Sequence, residues 1–255
     1  MTWQLPGAVA ELKRWRAEGL ELPIWWRDDD AIVPTEALDR LLALAEKFEA
    51  PLHLAVIPEP ATPRLAERLS TVSTAFVLTH GWRHQNHAPP DKKKAEFGSH
   101  RLATTMLDEI AAGRQRVNEL FGKRALPVFT PPWNRIAPEV VDGLSAGGFV
   151  AISSFTPRST RFAAPNLLQV NTHLDPVAWK SGGGLLDPTL IDAQLTGQLE
   201  ARRTAIADNK EPYGLLTHHL VQDGATWEFT ATIVKTLLAS EVARWTSPLR
   251  EVLDI

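Results

Sequence analysis

The stretch Ile24-Trp25-Trp26-Arg27-Asp28-Asp29-Asp30 is an apolar run that ends in three consecutive carboxylates. Adjacent like charges repel one another, so folding alone gives no reason to place three of them at the end of a predicted strand. A bound cation or proton would offset the repulsion, which indicates a site. The structural alternative is a solvated acidic turn, because Asp is a good N-cap and Pro34-Thr35-Glu36 is typical of a helix start.

Composition limits the classes of function that this chain can have. The 255 residues are 44% hydrophobic and 22% charged, which is typical of a globular protein with one large core. The net charge is -3 and the dense basic run Lys92-Lys93-Lys94 is short, so no nucleic-acid partner is predicted. The chain contains no cysteine, so any metal must be held by His and carboxylate side chains.

The N-terminal segment predicts a cytoplasmic location. In Met1 to Arg16, charged residues interrupt the apolar ones, which is unlike a signal peptide. No apolar run approaches the length of a membrane span, so no membrane partner is predicted either.

Strand and helix patterns alternate along the chain. Strands are predicted at 24–27, 52–57, 75–80, 127–130, 149–155, 167–172 and 213–217. Helices are predicted at 9–18, 36–49, 64–69, 101–121, 138–146, 188–207 and 227–238. The strands are short, apolar and mostly non-alternating, which is typical of a parallel sheet buried on both faces. We therefore predict a single α/β domain over residues 1–255, with a barrel of seven or eight strands favoured over an open sheet.

Polar side chains follow five of the predicted strands, and in such folds the active site is built at the carboxyl ends of the strands. These positions are Asp28 to Asp30, His80 and His84, the segment 131–135, His173 and Asp175, and His218 and His219. We expect them to meet at one rim of the barrel. His173 and His219 are open to two interpretations, substrate contact or a structural role.

The segment His80-Gly81-Trp82-Arg83-His84 places two imidazoles four residues apart, so that in a helical turn both point the same way. With one Asp oxygen from the first strand they would form a two-His, one-carboxylate metal site with positions open for water and substrate. This ligand set suits Zn²⁺ first, and also Co²⁺, Ni²⁺ or Fe²⁺.

These segments resemble the five short motifs of the polysaccharide deacetylases, the carbohydrate esterase family 4 or NodB-homology group. The matching segments are Asp29-Asp30, His80 to His84, Thr130-Pro131-Pro132-Trp133, Asp175 to Trp179 and Leu216-Thr217-His218. The resemblance spans Ile24 to His219, with the motifs in the same order and at the same strand ends. It implies a distorted (β/α)7 barrel.

The resemblance also implies roles for individual residues. The metal ligands would be Asp30, His80 and His84; the general base Asp29; the acid that protonates the leaving amine His218, with Asp175 orienting it. Because there are three Asp residues, Asp28 as base and Asp29 as ligand form the alternative register, and the pattern Arg27-x-Asp29-Asp30 favours the first one. A backbone N–H near Trp133 would hold the oxyanion. Substrate contacts are predicted for Trp82, Pro132, Trp133 and Arg135.

The chain departs from the family pattern at two positions. The motif-three arginine, which tunes the catalytic base in the family, is Thr130 here, and Arg27 or Arg135 could supply its charge instead. Gly81 stands where the second motif has Ser or Thr. Neither change removes an implied metal ligand.

The predicted function is metal-dependent hydrolysis of N-acetyl or O-acetyl groups on a carbohydrate, and the cytoplasmic prediction favours a soluble sugar or a short oligosaccharide. One alternative is a related amidohydrolase that acts on a non-sugar C–N bond. Another is a catalytically weak carbohydrate-binding protein, which the missing arginine suggests. The predicted partner is an acetylated carbohydrate, and the sequence does not predict an oligomeric state.

Overall fold

The computed structural model describes residues 3–252, which contain nine strands and seven α-helices. The strands are β1 (Leu22–Ala31), β2 (Leu52–Val56), β3 (Ala75–His80), β4 (Ala125–Thr130), β5 (Ala151–Ile152), β6 (Phe162–Ala164), β7 (Leu167–Gln169), β8 (Tyr213–Thr217) and β9 (Ala243–Trp245). The helices are α1 (Pro6–Ala17), α2 (Glu36–Lys47), α3 (Pro63–Ser70), α4 (Ala103–Phe121), α5 (Pro138–Leu144), α6 (Pro188–Arg203) and α7 (Gly224–Ala239).

Seven parallel strands form the wall of a distorted barrel. Hydrogen bonding runs from β7 through β5, β4, β3, β2 and β1 to β8. The gap between β7 and β8 is closed by the chain just after β7, where Leu174 bridges to Leu215 and the His173 N–H donates to the Gly214 carbonyl at 2.7 Å. The predicted α/β class and the distorted seven-stranded barrel are therefore confirmed.

Two of the observed strands were not predicted, and the bounds of several predicted strands differ from those observed. The predicted strand 149–155 shortens to β5, only two residues long. β6 pairs antiparallel with β7. β9 follows α7 in the chain and pairs with β1, so the last predicted helix, 227–238, is not the last element. Strands of three residues are too short to show an apolar period, so the sequence pattern could not reveal them.

The helices bury apolar stripes against the sheet, as α2 illustrates. Its buried side chains follow helical spacing and are Leu38, Leu41, Leu42 and Ala45. The helix begins where the Thr35 hydroxyl accepts from the Leu38 N–H at 3.0 Å, which satisfies one of the free amides of the first turn. The apolar face of α2 therefore packs against the outside of the barrel. No helix within residues 3–252 is long and apolar enough to cross a bilayer.

Candidate active site

The three carboxylates Asp28 to Asp30 lie inside β1, whereas the sequence analysis placed them in a loop after a shorter strand. The strand is irregular at this point, because its register with β2 shifts between Asp29 and Ala31 and Asp30 has φ 74°. Positive φ is costly for a residue other than glycine and turns the side chain away from the regular alternation of a strand. As a result the three neighbouring carboxylates meet three different sets of partners.

Asp30 meets the two histidines that the sequence paired with it. Its Oδ1 lies 3.2 Å from His80 Nε2 and 3.3 Å from His84 Nε2. Together the three side chains offer ligand atoms that all lie within 4.8 Å of one another. His80 is the last residue of β3. His84 comes after the turn that follows and itself has φ 56°, so both rings reach the rim above β1.

The hydrogen bonds of His80 identify the nitrogen that is free to bind a ligand. Its Nδ1 donates to the Thr130 carbonyl at 3.0 Å, because a carbonyl only accepts. Two acceptors that face each other, such as Nε2 of a neutral His80 ring and Asp30 Oδ1, need a cation or a proton between them. These residues therefore fit a divalent metal, with the Thr130 carbonyl as the second-shell contact that orients the His80 ring.

The electrostatics of the cluster favour a positive charge next to Asp30. Burial raises the pKa of Asp30, but the contact with His80 and its charge outweigh burial and hold that pKa well below its usual range. For His80, burial lowers the pKa, while Asp29 and Asp30 raise it further than burial lowers it. Burial and the charge of His80 lower the pKa of His84, which favours the neutral, metal-binding form of that ring.

The turn between the two histidines is built on Glu96, which the sequence analysis missed. This buried carboxylate accepts from the Arg83 N–H at 2.8 Å and the Trp82 N–H at 3.2 Å. Gly81 has φ 64°, and a Cβ there would lie 2.5 Å from Pro132 Cγ and closer still to Glu96 Oε2. The turn therefore has no room for the Ser or Thr of the family motif. A single Glu in a polar loop carries no sequence signal for this role.

Asp29 is paired with Arg27 inside the barrel. Arg27 Nε lies 2.9 Å from Asp29 Oδ1, and Nη2 donates to Oδ2 at 3.0 Å, with both side chains almost fully buried. Arg135, the other candidate for the missing arginine's place, instead donates to the Lys94 carbonyl at 2.8 Å. Of the two candidates, only Arg27 contacts Asp29, the carboxylate next to Asp30.

Arg27 itself is held by the far wall of the barrel. Its Nη1 donates to Ser153 Oγ at 2.8 Å and to the Ser153 and Ser154 carbonyls at 3.1 Å each, and its Nη2 donates to Asn134 Oδ1 at 2.8 Å. With this many acceptors, the guanidinium is fixed against the motif-three loop, and the orientation of Asp29 is fixed with it.

His218 lies between two carboxylates. Its Nε2 is 3.9 Å from Asp29 Oδ2, and its Nδ1 is 3.8 Å from Asp175 Oδ2. Asp175 accepts from the Val177 N–H at 2.9 Å and from Trp179 Nε1 at 2.7 Å, while burial raises its pKa. The Trp179 ring packs edge-on against His218 with centroids 4.7 Å apart. The pair His218 and Asp175 thus stands beside Asp29 as the sequence analysis placed it.

The carboxylate that meets His80 and His84 belongs to Asp30, not to Asp29 as the alternative register requires, and Asp28 has other partners. Asp28 Oδ1 lies 2.5 Å from His219 Nδ1, and its Oδ2 accepts from the Thr217 hydroxyl at 2.7 Å and the His219 N–H at 3.0 Å. His219 is only 1% exposed, so its contacts are with the protein's own groups rather than with a substrate. The same holds for the buried His173, whose Nδ1 accepts from the Gly214 N–H at 2.8 Å.

The four residues predicted to bind substrate have different surroundings. The Trp133 ring lies against His84 with centroids 4.2 Å apart, and its φ is 55°. Pro132 is buried beside Gly81, and Trp82 packs partly buried against the apolar cluster that contains Phe97. Arg135 anchors the neighbouring loop through Lys94, as described above. Their contacts with a substrate stay predictions.

The fold is that of the carbohydrate esterase family 4 deacetylases, which confirms the resemblance at the level of the fold. No family model matches the sequence, and no curated protein matches it either.

Three solved structures illustrate the likeness. A protein from Mycobacterium smegmatis, provisionally named a polysaccharide deacetylase, is 16% identical over 92% of this chain and 89% of its own, with a TM-score of 0.61. A family 4 acetyl xylan esterase from Clostridium thermocellum, in complex with a cobalt ion, is 12% identical over 88% and 86%, with a TM-score of 0.51. A family pseudoenzyme from Bacillus anthracis is 14% identical over 88% and 63%, with a TM-score of 0.56.

Proposed function

We propose that this protein is a metal-dependent hydrolase that removes the acetyl group from an N-acetylated carbohydrate, or less readily from an O-acetylated one. The observation that carries the proposal is the adjacency of three parts at one rim. A two-His, one-carboxylate cluster adjoins an arginine-paired Asp29, and His218 stands 3.9 Å from that carboxylate. A ligand set, a base and an acid together are what hydrolysis of an amide requires.

The ligands would be Asp30 Oδ1, His80 Nε2 and His84 Nε2. A divalent cation bound there, Zn²⁺ first with Co²⁺, Ni²⁺ or Fe²⁺ as alternatives, would polarise the substrate carbonyl and acidify a water molecule. The cobalt complex of the structurally similar acetyl xylan esterase supports a cation of this kind.

Asp29 would act as the general base. Its carboxylate takes a proton from the attacking water, and the Arg27 contacts keep it oriented and stabilise its negative charge before the reaction. This contact supplies from β1 what the missing motif-three arginine would supply from β4. It also weakens the case for a protein that only binds carbohydrate, because a buried base clamped by an arginine has no use in binding.

His218 would act as the general acid. When the C–N bond breaks, its ring donates a proton to the departing nitrogen, so that acetate and a free amine are released. Asp175, 3.8 Å from the other ring nitrogen, stabilises the charged imidazolium and orients it. Amine nitrogen is a poorer leaving group than an alkoxide, so a dedicated acid favours an amide substrate over an ester.

The substrate that fits is an acetylated sugar or a short oligosaccharide. Two aromatic rings stand at the rim, with Trp133 against His84 and the half-exposed Trp179 against His218. Aromatic faces of this kind pack well on the apolar faces of sugar rings. A non-sugar amide is the second candidate, and the same cluster would serve it.

Metal content measured by mass spectrometry on protein purified without added metal tests the proposal first. We expect about one divalent ion per chain in the wild type and none in the double variant His80→Ala/His84→Ala. His87→Ala is the matched control, because His87 follows His84 by three residues, is exposed and lies outside the cluster.

Acetate release from N-acetylated chito-oligosaccharides is the second measurement, with acetylated xylan and a simple aryl acetamide as comparisons. Amide hydrolysis on the sugar alone supports the carbohydrate substrate, whereas turnover of the acetamide alone supports the non-sugar alternative. A wild-type protein that remains metal-free after supplementation would rule out the proposed reaction.

A further inference from the structure

Asp28 is a buried carboxylate for which the proposed reaction has no use. It is fully buried, it lies outside the cluster of Asp30, His80 and His84, and among the described residues its side chain accepts no hydrogen bond from Arg27. Burial of a carboxylate is costly, so its three hydrogen bonds indicate a specific role. All three come from the two residues on either side of His218.

The contacts form a bracket around the His218 backbone. On one side, the Thr217 hydroxyl donates to Asp28 Oδ2 at 2.7 Å while it accepts from Trp26 Nε1 at 2.9 Å. On the other side, the His219 N–H donates to Oδ2 at 3.0 Å, and the His219 ring lies 2.5 Å from Oδ1 through Nδ1. His218 is therefore held from both neighbours by one carboxylate.

Asp28 also immediately precedes Asp29, the proposed base. One rigid strand thus carries both the base and the anchor of the acid, and Asp28 pairs directly with Thr217 in the register of β1 and β8. Asp29 Oδ2 and His218 Nε2 lie 3.9 Å apart, with Arg27 holding Asp29 and Asp28 holding the two residues on either side of His218. A displacement of about 1 Å at such a pair can cost about 100-fold in rate.

We propose that Asp28 and His219 are positioning residues that hold the acid His218 in line with the base Asp29. The proposal rests on the proposed function and assigns these two residues no contact with substrate. A role in stability alone would change the amount of folded enzyme and so affect every substrate equally. The backbones of β1 and β8 pair along five register positions, which supports the fold without these side chains. A positioning role affects only those reactions that need the acid.

Leaving-group dependence separates the two roles. An N-acetylated sugar needs its nitrogen protonated, whereas 4-nitrophenyl acetate has a leaving group that departs without an acid. For Asp28→Asn and His219→Gln we expect kcat on the N-acetylated sugar to fall about 10- to 100-fold, with KM nearly unchanged and turnover of the aryl acetate within about threefold of wild type.

His219→Asn is the matched rescue variant. The Asn side-chain N–H can stand where the Nδ1–H stands and donate to Asp28, whereas Gln places its amide near the position of Nε2. We expect His219→Asn to restore most of the kcat that His219→Gln loses, and metal content to be the same in all variants. A parallel loss on both substrates, or no loss on either, would overturn the proposal.

Two further measurements separate this inference from the proposed function. His218→Ala should itself show the leaving-group dependence, and its absence would refute the role of His218 as acid rather than the bracket. Nuclear Overhauser contacts between the rings of Trp179 and His218, 4.7 Å apart, need no activity. Their loss in Asp28→Asn supports the bracket, and their retention overturns it even in a protein that hydrolyses nothing.

Discussion

Replacing Arg27 by Met removes one partner of the buried ion pair that Arg27 forms with Asp29. The two side chains are 0% and 4% exposed, so water cannot solvate the carboxylate of Asp29 that is left behind. Removing one member of such a pair typically costs about 3–5 kcal/mol. Because small domains are stable by only about 5–15 kcal/mol, Arg27→Met should lose a large fraction of the free energy of unfolding.

Urea unfolding followed by tryptophan fluorescence measures this loss, and a double variant tests its cause. Arg27→Met/Asp29→Asn buries no charge at either position, so we expect it to be at least about 1 kcal/mol more stable than Arg27→Met alone. Arg135→Met is the matched control, since that arginine has one hydrogen bond to a loop carbonyl and should cost about 1 kcal/mol at most. A cost for Arg27→Met no larger than that of the control, or a double variant that is the least stable of the set, would contradict a buried charge on Asp29 as the cause.

Three further predictions follow from the site and the core. Gly81→Ala should weaken metal binding about 10-fold, as measured by competition with a chelator, because its Cβ has no room beside Glu96 and Pro132; unchanged affinity would contradict the structure. Chelation should lower the Tm of the wild type and leave that of His80→Ala/His84→Ala unchanged; an equal shift in both would show that the ion binds elsewhere. Burial lowers the pKa of His53 to about 4, so only the unfolded chain takes up this proton between pH 6.5 and 4, and stability should fall by about 3 kcal/mol as the pH drops through that range. His53→Asn, which can keep the N–H that donates to the Trp26 carbonyl, should remove that part of the slope in unfolding free energy against pH, and an unaltered slope would refute the assignment.

Much of the fold could be predicted from the sequence. Apolar runs and helical stripes are local patterns, and they place the seven barrel strands and the seven helices within a few residues of their observed bounds. The residue types at the strand ends are local information too, which is why one Asp of the cluster was expected to meet His80 and His84; the family resemblance then favoured Asp30. What local patterns could not show were β6 and β9, which are three residues each, and the closure of the barrel between Leu174 and Leu215.

The order of residues alone places three carboxylates at the end of the first apolar strand, but the partners of each carboxylate depend on how the chain folds. Asp28 contacts His219, which lies 191 positions further along the chain, and Asp29 contacts Arg27 on its own strand. Asp30 contacts His80 and His84, at the end of β3 and in the turn after it. Neighbouring side chains in a strand point to opposite faces, and the irregularity at Asp30 turns the third one again. Identical residues in a row therefore have different partners, because strand geometry and the register with distant strands, rather than residue type, decide which atoms each side chain reaches.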